Sequence, residues 1–122
     1  MPIDNAINLT RQLLVGTQAI HERGFIHRDI KTPNILLGEK GSHINPTTGA
    51  KSKYYRQLKI ADFGLSRVMA IPPKHMTKEI ATLHYRAPEV ILDNLQYTQA
   101  VDMFSIGIVI YEMLTGLFLF NG

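Results

Sequence analysis

Residues 27–34 read HRDIKTPN, and the interpretation of the chain starts from them. Transfer of a phosphoryl group to a hydroxyl needs a carboxylate that orients the hydroxyl, a cation beside the phosphoryl group and an oxygen ligand for Mg²⁺. Asp29, Lys31 and Asn34 supply these three chemical types within six positions. Taken alone, the stretch is equally an ordinary polar turn, because strings this short arise by chance.

Two helices are predicted on either side of this stretch. Residues 4–23 carry apolar side chains at spacings of three, four and seven, which predicts a helix with one apolar side. Asp4 is its predicted N-cap, and Gly24 stands where a left-handed residue commonly ends a helix. A second helix is predicted to start after Thr98, as its N-cap, and to end at Gly116.

Strands and loops are predicted between the helices. Residues 35–37 and 58–61 read as the two strands of a short hairpin. Residues 38–57 hold three glycines, a proline and several lysines, so we expect a mobile surface loop there. Residues 25–34 are too irregular for a regular element. Residues 62–89 show no sustained period and contain three prolines, which predicts an ordered loop or a switchable segment.

Composition indicates a globular protein. The chain has 122 residues, 45% of them apolar and 19% charged, which is the size and composition of one compact unit. The net charge is +3, without the dense basic patch that nucleic-acid binding needs. The absence of cysteine excludes disulfides and thiolate metal sites, and it fits an intracellular protein.

The most apolar stretch is a candidate membrane span. Residues 103–120 are 18 residues with a single charge, Glu112, which is near the lower length limit for a transmembrane helix. Gly107, Thr115 and Gly116 interrupt the stretch. A buried helix of a globular protein is therefore the preferred interpretation, and no membrane partner is expected.

Two further short motifs follow along the chain. Residues 62–64 read Asp-Phe-Gly directly after a predicted strand, where a carboxylate is suited to Mg²⁺ because this hard ion prefers oxygen ligands. Residues 85–89 read Tyr-Arg-Ala-Pro-Glu. Each motif is weak alone. Their weight comes from the order and the spacing of all three along one chain.

The three motifs occur in the order of the protein-kinase signature set, and the chain resembles eukaryotic protein kinases, specifically the cyclin-dependent-kinase-like branch. Residues 25–37 fit the Ser/Thr kinase active-site pattern at every position. The string ATLHYRAPEVIL at 81–92 is similar to the branch's TLWYRAPE segment, and residues 97–122 are similar to its VDMWSIG run. The resemblance covers nearly the whole chain, apart from the loop at 38–57.

The resemblance implies an α+β, protein-kinase-like fold. Residues 1–122 would form a partial, mainly helical C-lobe with a short β-hairpin, composed of the E helix, catalytic loop, activation segment and F helix. Residues 38–57 would be a flexible insertion. The N-lobe is expected to be absent, because no glycine-rich loop, phosphate-binding lysine or C-helix glutamate precedes the catalytic loop.

The resemblance also implies roles at the site of chemistry, with ATP and Mg²⁺ as cofactors. Asp29 would be the catalytic base, and Lys31 would contact the γ-phosphate, which favours a Ser/Thr kinase. Asn34 and Asp62 would hold Mg²⁺, and Leu36 would form the floor under adenine. The alternatives are that Leu36 is an ordinary hairpin core residue and Lys31 a solvated lysine.

Residues 62–89 correspond to the activation segment of the family. Thr77 falls where the branch carries its activating phosphothreonine, and Arg28 and Arg67 match two arginines that receive that phosphate. Arginine suits this task because its planar guanidinium binds phosphate through two hydrogen bonds. The alternative for Thr77 is a plain loop threonine.

Two further residues bear on the substrate by resemblance. Thr82 matches the threonine that hydrogen-bonds the catalytic aspartate and lysine in Ser/Thr kinases. Arg86 matches the arginine typical of the proline-directed group, so Ser/Thr-Pro substrates are expected.

Structural roles are implied for four other residues. His27 would pack beneath Phe63 within an apolar spine, and Asp102 would accept hydrogen bonds from backbone N–H groups near residues 27 and 28. Glu89 would pair with a residue of a later helix.

The sequence departs from the family pattern at two places. Thr32 follows the catalytic-loop lysine where the family usually has proline, and Pro33 comes one position later. His84 stands where the branch has tryptophan. Both departures weaken assignment to any one subfamily.

Three alternatives for the function remain open from the sequence. The first is part of an active, proline-directed Ser/Thr kinase, inactive as this chain alone, with protein substrates and either a cyclin-like activator or the missing kinase segments as partners. The second is a non-catalytic interaction or decoy protein derived from a kinase. A metal-binding or nucleic-acid-binding module is a third alternative. The family implies an intracellular location, in the cytoplasm, the nucleus or both.

Overall fold

The computed structural model describes residues 1–53, 55–68, 80–92 and 98–120, except for the side chains of residues 67 and 80–82. This part of the chain has the predicted α+β composition, with helices and two small antiparallel sheets. The helices are α1 (Ile3–Glu22), α2 (Pro88–Ile91) and α3 (Ala100–Thr115). The strands are β1 (Phe25–Ile26), β2 (Ile35–Lys40), β3 (Arg56–Ile60) and β4 (Arg67–Val68). Two 3₁₀ turns cover Thr32–Asn34 and Ile80–Tyr85.

Helix α1 lies within one residue of its predicted position and starts in a different way. Pro2 precedes the helix, its carbonyl accepts a hydrogen bond from Ala6 N–H at 3.1 Å, and Asp4 lies in the first turn instead of capping it. Proline suits this entry because its φ angle, here −57°, is already close to the helical value. Gly24 has a φ of +79°, as predicted for the end of the helix.

The hairpin β2–β3 is longer than predicted. Pairing begins at Ile35 with Ile60 and reaches Lys40 with Arg56, with an irregularity between Leu37 and Lys40. The strand prediction stopped at residue 37 because the following residues lack apolar side chains. Main-chain pairing does not require them, and the Ser42 hydroxyl supports the irregular part by accepting from Gln57 N–H at 3.1 Å.

A second, smaller pairing lies inside the predicted loop at 38–57. Ile44 and Lys51 form an isolated antiparallel bridge, and Asn45 N–H donates to Ala50 at 2.9 Å. The turn between them is closed by Asn45, whose side-chain oxygen accepts from Thr47 N–H at 2.8 Å. The segment therefore has local hydrogen-bonded structure, and its mobility stays a prediction.

Short regular elements also occur where none was predicted. Strands β1 and β4 pair antiparallel, Phe25 with Val68 and Ile26 with Arg67, and join the segment after α1 to the segment after β3. Strands of two residues are too short to leave a periodic signal in sequence.

One side chain of helix α1 forms hydrogen bonds with the hairpin, in addition to the apolar packing of Leu58 and Ile60 against the core that contains Leu13. The Gln12 amide donates to the carbonyl of Arg56 at 2.9 Å, and its oxygen accepts from Leu58 N–H at 2.8 Å. The side chain thus pairs with the open edge of β3 as another strand would.

Helix α3 forms the centre of the core. Ile106, Ile108 and Val109 are buried on it, and they pack with Leu13 of α1 and Ile30. The residue preceding the helix is Gln99, and the predicted cap Thr98 instead accepts from Ala100 N–H at 3.2 Å. The C-terminal end is as predicted, because Gly116 adopts a φ of +73°.

Apolar side chains stay exposed near both ends of the chain, among them Ile3, Ile7, Leu114, Leu117 and Phe120. Within the described residues, no helix combines the length and the hydrophobicity that crossing a membrane requires.

Candidate active site

The carboxylate of Asp102 organises the loop that carries HRDIKTPN. Asp102 is fully buried at the start of α3, and its two oxygens accept from His27 N–H at 2.9 Å and from Arg28 N–H at 2.8 Å. His21 Nε2 lies 2.7 Å from the same carboxylate. A buried carboxylate needs such partners to offset its lost hydration, so α1, the loop and α3 are held together at this point.

The backbone of Arg28 is turned to make this arrangement. Its φ of +69° is in the left-handed region, which costs a non-glycine residue about 1–3 kcal/mol unless its surroundings hold it there. The turn lets two successive N–H groups, those of His27 and Arg28, donate to one carboxylate.

The ring of His27 links the loop to the segment after β3. The ring is fully buried, with Phe63 packed against it edge-on at a centroid distance of 4.9 Å. Its Nδ1 accepts from Asp29 N–H at 3.2 Å, so the ring proton of the neutral imidazole lies on Nε2. Nε2 then donates to the carbonyl of Ala61 at 3.1 Å.

Asp29 has one carboxylate oxygen in use and one without a partner. Oδ2 contacts Lys31 Nζ at 3.0 Å and accepts from the Asn34 amide at 3.0 Å, and the same amide donates to the Asp29 carbonyl at 2.8 Å. Asp29 is 5% exposed, and no group within the described part of the chain donates to Oδ1. The cluster thus fixes the carboxylate and leaves one oxygen to accept a proton or a hydrogen bond.

Asn34 and Asp62 provide oxygen donors beside this cluster. Ala61 N–H donates to the Asn34 carbonyl at 2.8 Å, which brings the residue before Asp62 against Asn34. Asp62 is exposed, has a φ of +62°, and uses Oδ1 to accept from Gly64 N–H at 3.1 Å. The amide nitrogen of Asn34 donates to Asp29. The side-chain oxygen of Asn34 and Oδ2 of Asp62 are therefore the oxygen atoms that could coordinate a metal ion.

These donors fit Mg²⁺. They are hard oxygen atoms, and this ion commonly takes one or two protein ligands together with waters and substrate phosphates. The described residues contain no cluster of three or more His, Cys, Asp or Glu side chains suited to a metal.

A polar cluster that the sequence did not predict lies beneath the loop. Thr32 Oγ1 is 2.9 Å from the Tyr85 hydroxyl, and that hydroxyl donates to Glu112 at 2.5 Å. The pKa of Tyr85 is raised to about 12, mainly because the phenol is buried and to a smaller extent because it donates a hydrogen bond to Glu112. The sequence held two unusual features at this place, Glu112 in a very apolar helix and Thr32 where proline is usual. Neither feature indicates which residue it would contact.

Arg86 is held next to this cluster. Its side chain is 7% exposed, and the preceding carbonyl of Tyr85 accepts from the Ser105 hydroxyl at 2.7 Å. Arg86 lines an open, mainly apolar groove of about 590 Å³ together with Leu83 of the turn Ile80–Tyr85, Pro88 of α2 and Phe104 of α3.

The remaining predicted site residues lie further out. Leu36 is 54% exposed on β2, and Phe63 is 52% exposed although one side of its ring covers His27. Glu89 is half-buried in the first turn of α2. Thr77 and the side chains of Arg67 and Thr82 lie outside the described residues.

Comparison with known proteins gives one family. The model of the protein kinase domain matches residues 1–122. The chain is 41% identical over 112 residues to "Cell division control protein 2 homolog 1" of Trypanosoma brucei brucei, which covers 92% of the chain and 32% of that protein. It is 41% identical over 114 residues to "Cyclin-dependent kinase G-2" of Oryza sativa subsp. indica, covering 93% of the chain and 14% of that protein.

A solved structure has the same fold. The chain superimposes with a TM-score of 0.75 and 33% identity on a chain of the yeast RNA Pol II CTD kinase CTDK-1 complex, covering 97% of this chain and 34% of that one. The chain therefore spans about a third or less of the proteins that it matches.

Proposed function

The chain belongs to the protein kinase domain family, and from that premise we propose that the protein containing it is a Ser/Thr protein kinase of the cyclin-dependent type. It would transfer the γ-phosphoryl group of ATP to hydroxyl groups of protein substrates. The observation that carries this proposal is the state of Asp29. One of its oxygens is held by Lys31 and Asn34, and the other is buried without a donor among the described residues.

Each polar residue of the cluster has a task in this reaction. Asp29 Oδ1 accepts the hydrogen bond of the substrate hydroxyl and takes its proton as the phosphoryl group transfers. Lys31 brings a positive charge next to the transferred group. Asn34 and Asp62 would hold Mg²⁺, and the ion would supply positive charge that offsets the phosphate charge of ATP. The contacts to Asp102 and His27 hold the loop in place, because positioning and electrostatics supply most of the rate in phosphoryl transfer.

Proposed substrates carry proline after the acceptor residue. The buried Arg86 beside an apolar groove supports this, since a groove lined by Leu83 and Pro88 suits an apolar ring better than a charged side chain. Lys31 and Thr82 would select a Ser or Thr hydroxyl. A peptide library in which the residue after the acceptor varies tests the assignment, and equal rates with and without proline there would refute it.

Regulation is proposed from the similarity to cyclin-dependent kinases. Phosphorylation of Thr77 would add about −1.5 to −2 charges, which Arg28 and Arg67 would receive. A cyclin-like activator is the proposed partner, together with the kinase segments that the relatives have beyond the matched region, and the location would be intracellular. Mass spectrometry of the active protein tests the first point, because Thr77 must then be found phosphorylated.

A second candidate function is a non-catalytic interaction protein. The exposed apolar residues near both ends of the chain favour it, because soluble proteins seldom leave such residues grouped without a partner. The two functions differ in what they require of Asp29, since binding through distant apolar residues does not depend on this carboxylate.

The deciding experiment measures phosphoryl transfer by the full-length protein to Ser/Thr-Pro peptides. Asp29→Asn should lower kcat by about 10²–10⁴-fold, the range for losing a general base. Asp4→Asn makes the same chemical change at an exposed position of α1 and should leave kcat unchanged. Mg·ATP binding measured by calorimetry should weaken in Asp62→Asn. Activity that survives Asp29→Asn, or wild-type protein with neither activity nor nucleotide binding, would reject the kinase proposal.

A further inference from the structure

We propose that Thr32 is a positioning residue that couples the catalytic loop to α3 and to the Tyr85–Ala87 segment, through its hydroxyl contacts with Tyr85 and Glu112. The inference deepens the proposed function and rests on it. In sequence, Thr32 is only a departure from the family pattern, at a position where proline is usual and no side-chain hydroxyl would exist.

The three side chains come from three separate parts of the chain. Thr32 begins the 3₁₀ turn Thr32–Asn34, Tyr85 ends the turn Ile80–Tyr85, and Glu112 lies in the last part of α3. Thr32 Oγ1 is 2.9 Å from the Tyr85 hydroxyl and 3.2 Å and 3.3 Å from the two oxygens of Glu112. Because 53 and 80 positions separate Thr32 from its partners, these bonds are tertiary contacts.

The proton count of the cluster makes Thr32 a donor. The Glu112 carboxylate only accepts, whereas each hydroxyl has one proton to donate. The phenol of Tyr85 is protonated at neutral pH, as any tyrosine is, and its proton goes to Glu112 at 2.5 Å. The Thr32 proton is then directed to the phenol oxygen or to the carboxylate, and every group in the cluster has a partner.

Thr32 also lies between the two residues that hold Asp29. Lys31 precedes it and contacts Asp29 Oδ2 at 3.0 Å, and Asn34 follows two positions later and donates to the same oxygen at 3.0 Å. A shift of the backbone at Thr32 therefore moves both contacts of the proposed base. Loss of its hydroxyl leaves the Tyr85–Glu112 bond in place and removes the link from that pair to the loop.

The coupling extends to the proposed substrate groove. Tyr85 is followed by Arg86, and its carbonyl is fixed to α3 by the Ser105 hydroxyl at 2.7 Å. The Thr32 hydroxyl contacts Tyr85, and Tyr85 precedes Arg86. Thr32 therefore links Asp29, which would act on the substrate hydroxyl, to Arg86, beside which the substrate would lie. Since misplacement by about 1 Å can cost as much as 10²-fold in rate, such a tie affects turnover without touching the reactants.

The test uses the full-length protein with three variants. Thr32→Val keeps the shape and removes the hydroxyl, Thr32→Ser keeps the hydroxyl, and Thr47→Val makes the first change at an exposed loop position as the control. We expect Thr32→Val to lower kcat about tenfold with the KM for ATP within twofold of wild type. Thr32→Ser and Thr47→Val should stay within twofold of wild type in both constants. Equal losses in Thr32→Ser and Thr32→Val, or an unchanged kcat in Thr32→Val, would overturn the proposal.

A double-mutant cycle with Tyr85→Phe identifies the partner. If Thr32 acts through the Tyr85 hydroxyl, the double variant loses no more activity than the worse of the two single variants. Fully additive losses in log kcat would mean that the two side chains act separately, which contradicts the coupling.

Amide hydrogen exchange separates this proposal from the proposed function. Exchange at residues 30–34 should be faster in Thr32→Val than in wild type, Thr32→Ser or Thr47→Val, whether or not the protein is an active kinase. Faster exchange in a protein without kinase activity would reject the function and keep the coupling. An active wild type whose Thr32→Val variant changes neither kcat nor exchange would reject the coupling and keep the function.

Discussion

His21 Nε2 lies 2.7 Å from Oδ2 of Asp102, and the two residues stand 81 positions apart in the sequence. The contact joins the end of α1 to the start of α3 at the carboxylate that also accepts from the N–H groups of His27 and Arg28. The geometry of the loop at 27–34 therefore depends on two residues outside it, Asp102 and His21. The sequence predicted no role for His21.

Replacing Asp102 with asparagine should destabilise the fold. The asparagine side chain would keep one acceptor oxygen, and its amide group would face two backbone N–H donors of which it can satisfy only one. We expect a loss of about 3 kcal/mol in the free energy of unfolding, the size for a buried charge-assisted network that loses a partner. Urea unfolding monitored by circular dichroism measures it, with the exposed Asp4→Asn as the matched control. A loss below about 1 kcal/mol would show that this network contributes little to stability.

Sequence patterns predicted the two long helices, α1 and α3, and their C-terminal ends well, whereas the four-residue helix α2 was not predicted. Helix periodicity persists over many residues, and Gly24 and Gly116 end their helices because positive φ angles are accessible to glycine at little cost. Helix starts were less predictable. Asp4 and Thr98 both have the right chemistry for an N-cap, but Pro2 and Gln99 occupy that position.

Strand pairings in segments without an alternating apolar pattern were not predicted from the sequence. The extension of the hairpin to Lys40 and Arg56, and the bridge between Ile44 and Lys51, depend on main-chain groups that every residue carries. The family resemblance indicated the loop chemistry around Asp29. The cluster of Thr32 with its two partners could not be predicted, because no periodicity connects residues so far apart in the sequence.

The Gln12 side chain should contribute to stability through its two bonds with β3. Gln12→Leu removes both, leaving the carbonyl of Arg56 and the N–H of Leu58 to water or without a partner. Because the site is partly exposed, we expect a loss of about 1 kcal/mol in the free energy of unfolding. Gln18→Leu is the matched control, since the Gln18 amide donates to Glu22 on the exposed surface of α1 and not to the hairpin, and it should change stability by less than about 0.5 kcal/mol. Equal effects of the two substitutions would refute the role of Gln12.

The stability of the wild type should fall at high pH because of Tyr85. Its folded-state pKa of about 12 lies above the ordinary value of 10, so the folded state favours the protonated phenol. The resulting stabilisation is complete below pH 10 and is lost as the pH rises from 10 to 12. Urea midpoints should therefore fall more steeply over this interval for the wild type than for Tyr85→Phe. Tyr111→Phe, which removes a tyrosine of α3 instead, should keep the wild-type slope. Parallel curves for all three proteins would contradict the assignment.

Two glycines of α3 should respond to alanine in opposite directions. Gly107 lies on the exposed side in the middle of the helix with no atom within 4 Å of an added Cβ, so Gly107→Ala should stabilise the protein by about 0.5–1 kcal/mol through helix propensity. Gly116 also has open space around it, but its φ of +73° disfavours any side chain, so Gly116→Ala should destabilise it by about 1 kcal/mol. Because both sites are equally open, thermal unfolding of the two variants separates backbone conformation from packing. The same sign of effect at both positions would mean that α3 does not end at Gly116 in solution.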